Sequence, residues 1–122
     1  MNLDQGEREL LSVGLGEWGG PARLTNALAI ALGFTAETHL LEEAKRIRTL
    51  LDDGAPLTPL DAARALAATE IVFASDVFGS GVEWETTTGI SDEDTIRTLR
   101  VLQRKLAGEY TVVADGIAAR TE

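Results

Sequence analysis

The chain has 122 residues, a formal net charge of −9, 44% hydrophobic residues and no cysteine. This length and apolar content fit one globular domain spanning residues 1–122, and they exclude a disordered chain, disulfides, thiolate metal sites and thiol catalysis. The beginning of the chain lacks the basic and apolar regions of a signal peptide, and no stretch has the roughly 18 apolar residues of a membrane span, so we expect a cytoplasmic protein that does not bind membranes.

The first third of the sequence carries signals for two helices. Asp4 is expected to start the first helix, and Gly14 and Gly16 are expected to stop it, because glycine disfavours a helix interior. Pro21 suits the first turn of a second helix, and Gly33 suits its C-terminal end. The segment between them is rich in glycine and is predicted to be a loop.

Two further helices are predicted in the middle of the chain. Thr35 is the expected N-cap of the third helix, whose apolar positions recur at spacings of four, three and four on one face, namely Leu40, Ala44, Ile47 and Leu51. Thr58, Pro59 and Asp61 form a start signal for the fourth helix. Residues 62–78 that follow are apolar on almost every side, which is typical of a central helix.

The last clear helix is predicted to start at the cap residue Ser91, with Asp94 three residues later, and to end at Gly108. Residues 109–122 have two open interpretations, a short strand or a short helix. The sequence therefore predicts an all-α domain of about five helices packed as a compact bundle, with a short β or helical C-terminal tail.

The negative charge disfavours nucleic acid as a partner, because an acidic surface repels phosphates. Residues 29–40 do resemble a helix-turn-helix. The helix that would read the DNA, however, carries Glu37, Glu42 and Glu43, where lysine and arginine normally make the contacts. The same charge attracts basic proteins and accelerates their association.

The sequence also disfavours an enzyme or a metalloprotein. His39 is the sole histidine, and a metal site generally needs three or four ligands, so we expect neither a metal nor another cofactor. Because the chain has one histidine and no cysteine, most catalytic pairs of a nucleophile and a general base are also excluded. Glu70 and Asp76 interrupt the most apolar helix. They are open to two interpretations, functional carboxylates or structural ion pairs, with Glu70 paired to one of the arginines at positions 97, 100 and 104.

Two tryptophans lie in loops beside acidic residues. Trp18 follows Glu17, and Trp84 lies between Glu83 and Glu85. Each tryptophan is either an exposed anchor for a partner or a lid that folds back on the core. In an extended loop from Gly79 to Ile90, Trp84 would point one way and the two glutamates the other. The candidate partner-binding residues are Asp76, Glu83, Trp84, Glu85, Trp18 and Glu17.

The segment from Ala68 to Trp84, together with residues 18–21, resembles small bacterial proteins, and the chain as a whole is similar in character to immunity proteins of polymorphic or contact-dependent toxins. This likeness transfers no functional residue. It implies a protein-binding module, an immunity-type inhibitor that blocks a basic toxin or nuclease by electrostatic and steric docking. The alternative is a structural or regulatory helical protein that acts as a homo-oligomer.

Overall fold

The computed structural model describes residues 2–20 and 22–121, with side chains through residue 108. These residues contain no strand, which confirms the predicted all-α bundle. The helices are α1 (Gln5–Glu17), α2 (Asn26–Ala31), α3 (Glu37–Asp52), α4 (Pro59–Ala74), α5 (Trp84–Thr88) and α6 (Asp92–Thr121), with a 3₁₀ turn at Gly81–Glu83. Within this described part, no helix is long and apolar enough to cross a membrane.

Helices α1 and α4 form the centre of the bundle. Helix α1 packs against α3, α4 and α6, and α4 packs in turn against α6. The predicted face of α3 is buried in full. The core is made chiefly of leucine and alanine side chains from α1, α3 and α4, closed on one side by Leu99 and Leu102 of α6.

Gly14 and Gly16 do not stop α1, and that prediction was wrong. The helix continues through both residues to Glu17. A Cβ atom on Gly14 would lie 2.3 Å from Oγ1 of Thr69 on α4, and one on Gly16 would lie 2.9 Å from the guanidinium carbon of Arg48 on α3. The two glycines therefore allow neighbouring elements to approach α1 closely, which is a tertiary requirement that local sequence does not reveal.

The start of α2 also differs from the prediction. The helix begins at Asn26, and Thr25 caps it by accepting a hydrogen bond from the backbone N–H of Leu28 (3.1 Å). Pro21, the predicted first residue, lies outside the described residues. Gly33 follows the helix with φ +93°, a left-handed conformation that favours glycine, so the predicted C-terminal stop is confirmed.

Helix α3 lacks the N-cap that the sequence predicts. The N-cap position is Ala36 rather than Thr35, and its side chain makes no capping bond. Instead, Oδ1 of Asn26 on α2 accepts a hydrogen bond from the backbone N–H of Glu37 (3.0 Å). A residue distant along the chain thus satisfies one free donor of the helix start and joins α2 to α3 at the corner that resembled a helix-turn-helix.

Helix α4 begins as predicted. Oγ1 of Thr58 accepts a hydrogen bond from the backbone N–H of Asp61 (3.1 Å), and Pro59 occupies the first turn. The buried carboxylate of Asp61 also accepts two hydrogen bonds from Arg46 of α3, at 2.6 and 3.1 Å. These bonds, with a further one to Glu43, raise the pKa of Arg46 above its ordinary value. Asp61, which was predicted only as an acidic residue in the first turn of α4, therefore also joins α3 to α4.

Helix α6 starts as predicted, with the Ser91 hydroxyl accepting a hydrogen bond from the backbone N–H of Asp94 (3.1 Å). Its predicted end at Gly108 was wrong, because the backbone stays helical to Thr121. Over residues 109–121 the tail is therefore helical rather than a strand, but as a continuation of α6 and not as the separate short helix that was predicted. Glycine at an exposed helical position lowers stability by only about 1 kcal/mol, which is too little to end a helix by itself.

A partly buried ion pair joins the start of α1 to α6. The carboxylate of Glu7, which is 2% exposed, accepts hydrogen bonds from Nζ of Lys105 at 2.6 and 2.8 Å. Glu7 also completes a capping box with Asp4, since each residue's side chain accepts a hydrogen bond from the other's backbone N–H. The α1 N-terminus is therefore fixed both locally and by α6.

Candidate partner-binding surface

The segment between α4 and α6 is folded rather than extended. Residues 79–90 contain the 3₁₀ turn and α5, so the extended loop considered from the sequence is not the observed geometry. Trp84 nevertheless points into the protein, while Glu83 and Glu85 are exposed. As expected, Trp84 points one way and the two glutamates point the other. Helical turns produce this arrangement, rather than the alternation of an extended strand.

Both tryptophans are core residues. Trp84 is 0% exposed, and its Nε1 donates to Oγ1 of Thr95 (2.8 Å) while its ring meets Phe73 edge-on at 5.5 Å. Trp18 is 3% exposed, and its Nε1 donates to the carbonyl of Ala68 (3.2 Å). Each tryptophan therefore folds back on the core as a lid and is not an exposed anchor. In this conformation neither ring is accessible to a partner, which corrects the inclusion of Trp18 and Trp84 among the candidate contacts.

Glu17 is likewise buried, and it anchors the segment between α4 and α6. Its Oε1 accepts hydrogen bonds from the hydroxyls of Ser80 (3.2 Å) and Thr87. These bonds join the C-terminal end of α1 to both ends of the segment that contains the 3₁₀ turn and α5. Glu17 therefore holds this segment against the bundle and is not placed to contact a partner itself.

Asp76 fixes the turn that precedes the 3₁₀ segment. Its Oδ1 accepts a hydrogen bond from the backbone N–H of Val82 (2.7 Å). Gly81 has φ +46°, and a Cβ atom there would lie 1.7 Å from the same oxygen. The carboxylate can reach the backbone only because position 81 is glycine. Asp76 remains exposed, so it keeps free oxygen lone pairs facing solvent.

The segment from Asp76 to Glu85 carries both apolar and acidic side chains that are exposed to solvent. Val82 is 82% exposed, Val77 62% and Phe78 41%. Three exposed carboxylates lie in the same short segment. We define the docking surface as these six residues: Asp76, Val77, Phe78, Val82, Glu83 and Glu85. Apolar side chains bordered by charged ones are the usual composition of a protein-binding surface.

The sequence interpretation missed the apolar half of this surface. Val77 and Phe78 were assigned to the central helix, but α4 ends at Ala74. Ser75 adopts an extended conformation, and its hydroxyl accepts hydrogen bonds from the backbone N–H groups of Val77 (3.2 Å) and Phe78 (3.0 Å). The Ser-Asp pair at positions 75 and 76 was the available signal, because both residue types favour such turns.

The docking surface borders a cleft of about 400 Å³. Asp76 and Glu83 line it together with the exposed Arg23, whose backbone N–H donates to the carbonyl of Phe78 (2.6 Å). Two carboxylates and one guanidinium leave the cleft with a net negative charge. A lysine or arginine side chain fits these carboxylates by charge.

The other candidate residues form local structural contacts. Glu70 accepts a hydrogen bond from Nε2 of Gln103 (2.8 Å), and Oε1 of Gln103 accepts one from Arg100 (3.0 Å), so the proposed direct ion pair to an arginine is replaced by an amide bridge. Nδ1 of His39 accepts from the backbone N–H of Thr35 (3.0 Å). No group of three or more metal-ligating side chains occurs within the described residues.

Comparisons of this chain with protein-family models, with curated proteins and with solved structures found no match.

Proposed function

We propose that this protein is a protein-binding module whose partner is a basic protein, and that it binds through the docking surface. The observation that carries the proposal is that one short segment, from Asp76 to Glu85, exposes three apolar side chains and three carboxylates. Exposed valine and phenylalanine side chains lower the free energy of association when a partner covers them. The carboxylates select for positive charge at the rim of that contact.

The burial of Trp84 determines which side chains of the segment can contact a partner. With the ring buried, the charged contacts come from Asp76, Glu83 and Glu85 and the apolar contacts from their exposed neighbours. A partner with lysine or arginine around an apolar patch is complementary to both. A second copy of this chain is less suitable, because the net charge of −9 makes identical copies repel each other.

The segment that carries the docking surface is held at several points before any partner arrives. Trp84 fixes it to α6 through Thr95, and Glu17 fixes it to α1 through Ser80 and Thr87. A segment ordered in advance loses less conformational entropy on binding. These buried contacts favour a rigid docking site over a loop that folds on binding.

The most concrete form of the proposal is an immunity-type inhibitor that acts in the cytoplasm. It would block a basic toxin or nuclease by covering the positively charged surface with which that protein approaches its own substrate. Inhibition of this kind needs no catalytic group in the inhibitor. Electrostatic attraction would accelerate encounter, and the apolar contacts would slow dissociation.

A capture experiment with charge-reversed variants tests the proposal. The immobilised wild-type protein, at low ionic strength, is exposed to extract of the source cells, and bound proteins are identified by mass spectrometry. We expect a basic protein to be retained by the wild type and lost from the Glu83→Lys/Glu85→Lys variant. A matched control, Glu9→Lys/Glu42→Lys, changes the net charge equally at exposed positions away from the docking surface and should retain it.

The captured protein is then titrated against the purified variants by isothermal titration calorimetry. The affinity of the wild type should fall as salt concentration rises, because exposed charge pairs are screened. Val82→Ser should weaken binding at every salt concentration, since it removes apolar area. Equal binding by the wild type and the Glu83→Lys/Glu85→Lys variant would refute the docking surface as the contact.

A further inference from the structure

A second concave site lies between the C-terminal half of α1 and the outer face of α3. This groove has a volume of about 550 Å³. Such a volume is within the roughly 300–1,000 Å³ of small-molecule sites. Its lining includes the apolar side chains of Leu15, Leu41 and Ala44 beside the cations Lys45 and Arg48.

In the part of the chain that the structure describes, neither of the two cations is paired with a carboxylate. Other cations of this acidic chain, such as Arg23 and Arg104, also lack an ion pair within the described residues. The relevant feature of Lys45 and Arg48 is therefore their shared position beside the groove. Both are on α3, one helical turn apart, and both line the groove.

Arg48 is held in place by α1. Its guanidinium lies against the Cα atom of Gly16, where any Cβ atom would come within 2.9 Å of it. Its Nε atom also points to Oγ of Ser12 at 3.5 Å. The Ser12 hydroxyl donates to Oδ1 of Asp52 (2.9 Å), the carboxylate that lines the groove, and the two cations with this one carboxylate leave the lining with a net positive charge.

The apolar part of the groove adjoins these cations. Leu15 and Ala44 are buried and form its base, whereas Leu41 is 41% exposed at its edge. A ligand with an apolar body would cover the exposed surface of Leu41, and its anionic end would reach the cations one turn further along α3. The groove thus combines apolar contact area with a small number of placed polar groups, as small-molecule sites generally do.

We propose that this groove binds a small organic carboxylate with an apolar body, with the carboxylate held by Lys45 and Arg48 and the body against Leu15 and Leu41. An arginine that is already positioned suits a carboxylate, because its N–H groups match the two oxygens. The site shares no residue with the docking surface. A negative result for the groove would therefore leave the proposed partner binding unaffected. A negative result for the docking surface would likewise leave the groove proposal unaffected.

Octanoate is a suitable probe, with octan-1-ol and octylammonium as ligands of the same length but of different charge. We expect octanoate to shift the amide resonances of residues 41–49 in a ¹⁵N-labelled sample, in a saturable way. Octan-1-ol should bind more weakly, and octylammonium should not bind at this site. Equal affinity for all three ligands, or octanoate shifts confined to other parts of the protein, would overturn the proposal.

Charge-removing variants complete the test. Lys45→Gln and Arg48→Gln should each weaken octanoate binding by about tenfold, which corresponds to about 1.4 kcal/mol. Arg104→Gln is the matched control, since it removes the same charge from an exposed position on α6, and its affinity should be unchanged. If Arg48→Gln does not fold, Lys45→Gln is decisive, because its side chain makes no hydrogen bond in the described structure. Unchanged affinity in Lys45→Gln would contradict the proposal.

Discussion

Replacing Gly14 by alanine tests whether this glycine is needed for the close approach of α1 and α4. If Gly14 were an ordinary residue inside an exposed helix, alanine would raise helix propensity by about 1 kcal/mol and stabilise the protein. In the structure a Cβ atom there would lie 2.3 Å from Oγ1, 2.7 Å from Cγ2 and 2.8 Å from Cβ of Thr69. Thr69 is 0% exposed on a central helix, so it has no space into which to move.

Overpacking of this kind costs about 1–3 kcal/mol, and the upper end applies because three atoms of a β-branched side chain are involved. After the gain in propensity, we expect Gly14→Ala to lower the free energy of unfolding by about 2 kcal/mol. Urea denaturation followed by circular dichroism measures this quantity directly. A change of this size in the free energy of unfolding is well above the usual error of urea denaturation for a domain of this length.

Two variants control this experiment. Gly6→Ala lies in the same helix, where the new Cβ would meet only Oδ1 of Asp4 at an ordinary 3.6 Å, so it should be neutral or stabilising. Thr69→Ala removes two of the three clashing atoms and should cost less in the Gly14→Ala background than in the wild type. A Gly14→Ala protein as stable as the wild type would show that α1 and α4 do not approach at this point.

Three further predictions follow from the caps, the core and the charge. Thr58→Ala and Ser91→Ala should each lower the free energy of unfolding by about 1 kcal/mol in urea denaturation, and no change at either site would mean that the helix starts elsewhere. Thr95→Val should cost about 1–3 kcal/mol, because the N–H of Trp84 loses its acceptor, and the cost should shrink in a Trp84→Phe background. At physiological salt, a gel-shift assay should detect no binding to duplex DNA, and a sub-micromolar, sequence-dependent shift would contradict this.

The features that the sequence predicts well are those decided within a few residues. Thr58 and Ser91 cap their helices because a hydroxyl reaches an N–H group three residues ahead, whatever the rest of the protein does. The buried face of α3 follows from the spacing of its leucines and isoleucine alone. The all-α fold class needs no more than these local signals, repeated along the chain.

The features that it predicts poorly depend on distant parts of the chain. Nothing near Gly14 reveals that Thr69 of α4 packs against it. Trp84 is flanked by glutamates, and its burial depends on packing against Phe73 of α4 and on the hydrogen-bond acceptor on Thr95 of α6. The residues of the proposed docking surface were identified from the sequence only in part. Its carboxylates were identified from charge, but its apolar residues were assigned to a helix that ends four residues earlier than expected.

The ion pair between Glu7 and Lys105 couples the unfolding of two helices that are far apart in the sequence. The carboxylate of Glu7 is buried in α1, and its cation lies 98 residues further along in α6. A buried carboxylate that loses its partner strongly destabilises the folded state. Detachment of α6 would leave Glu7 in that condition, so we expect α1 and α6 to open together as one cooperative unit. In native-state hydrogen exchange, the amides of both helices around this contact should then share one free energy of opening.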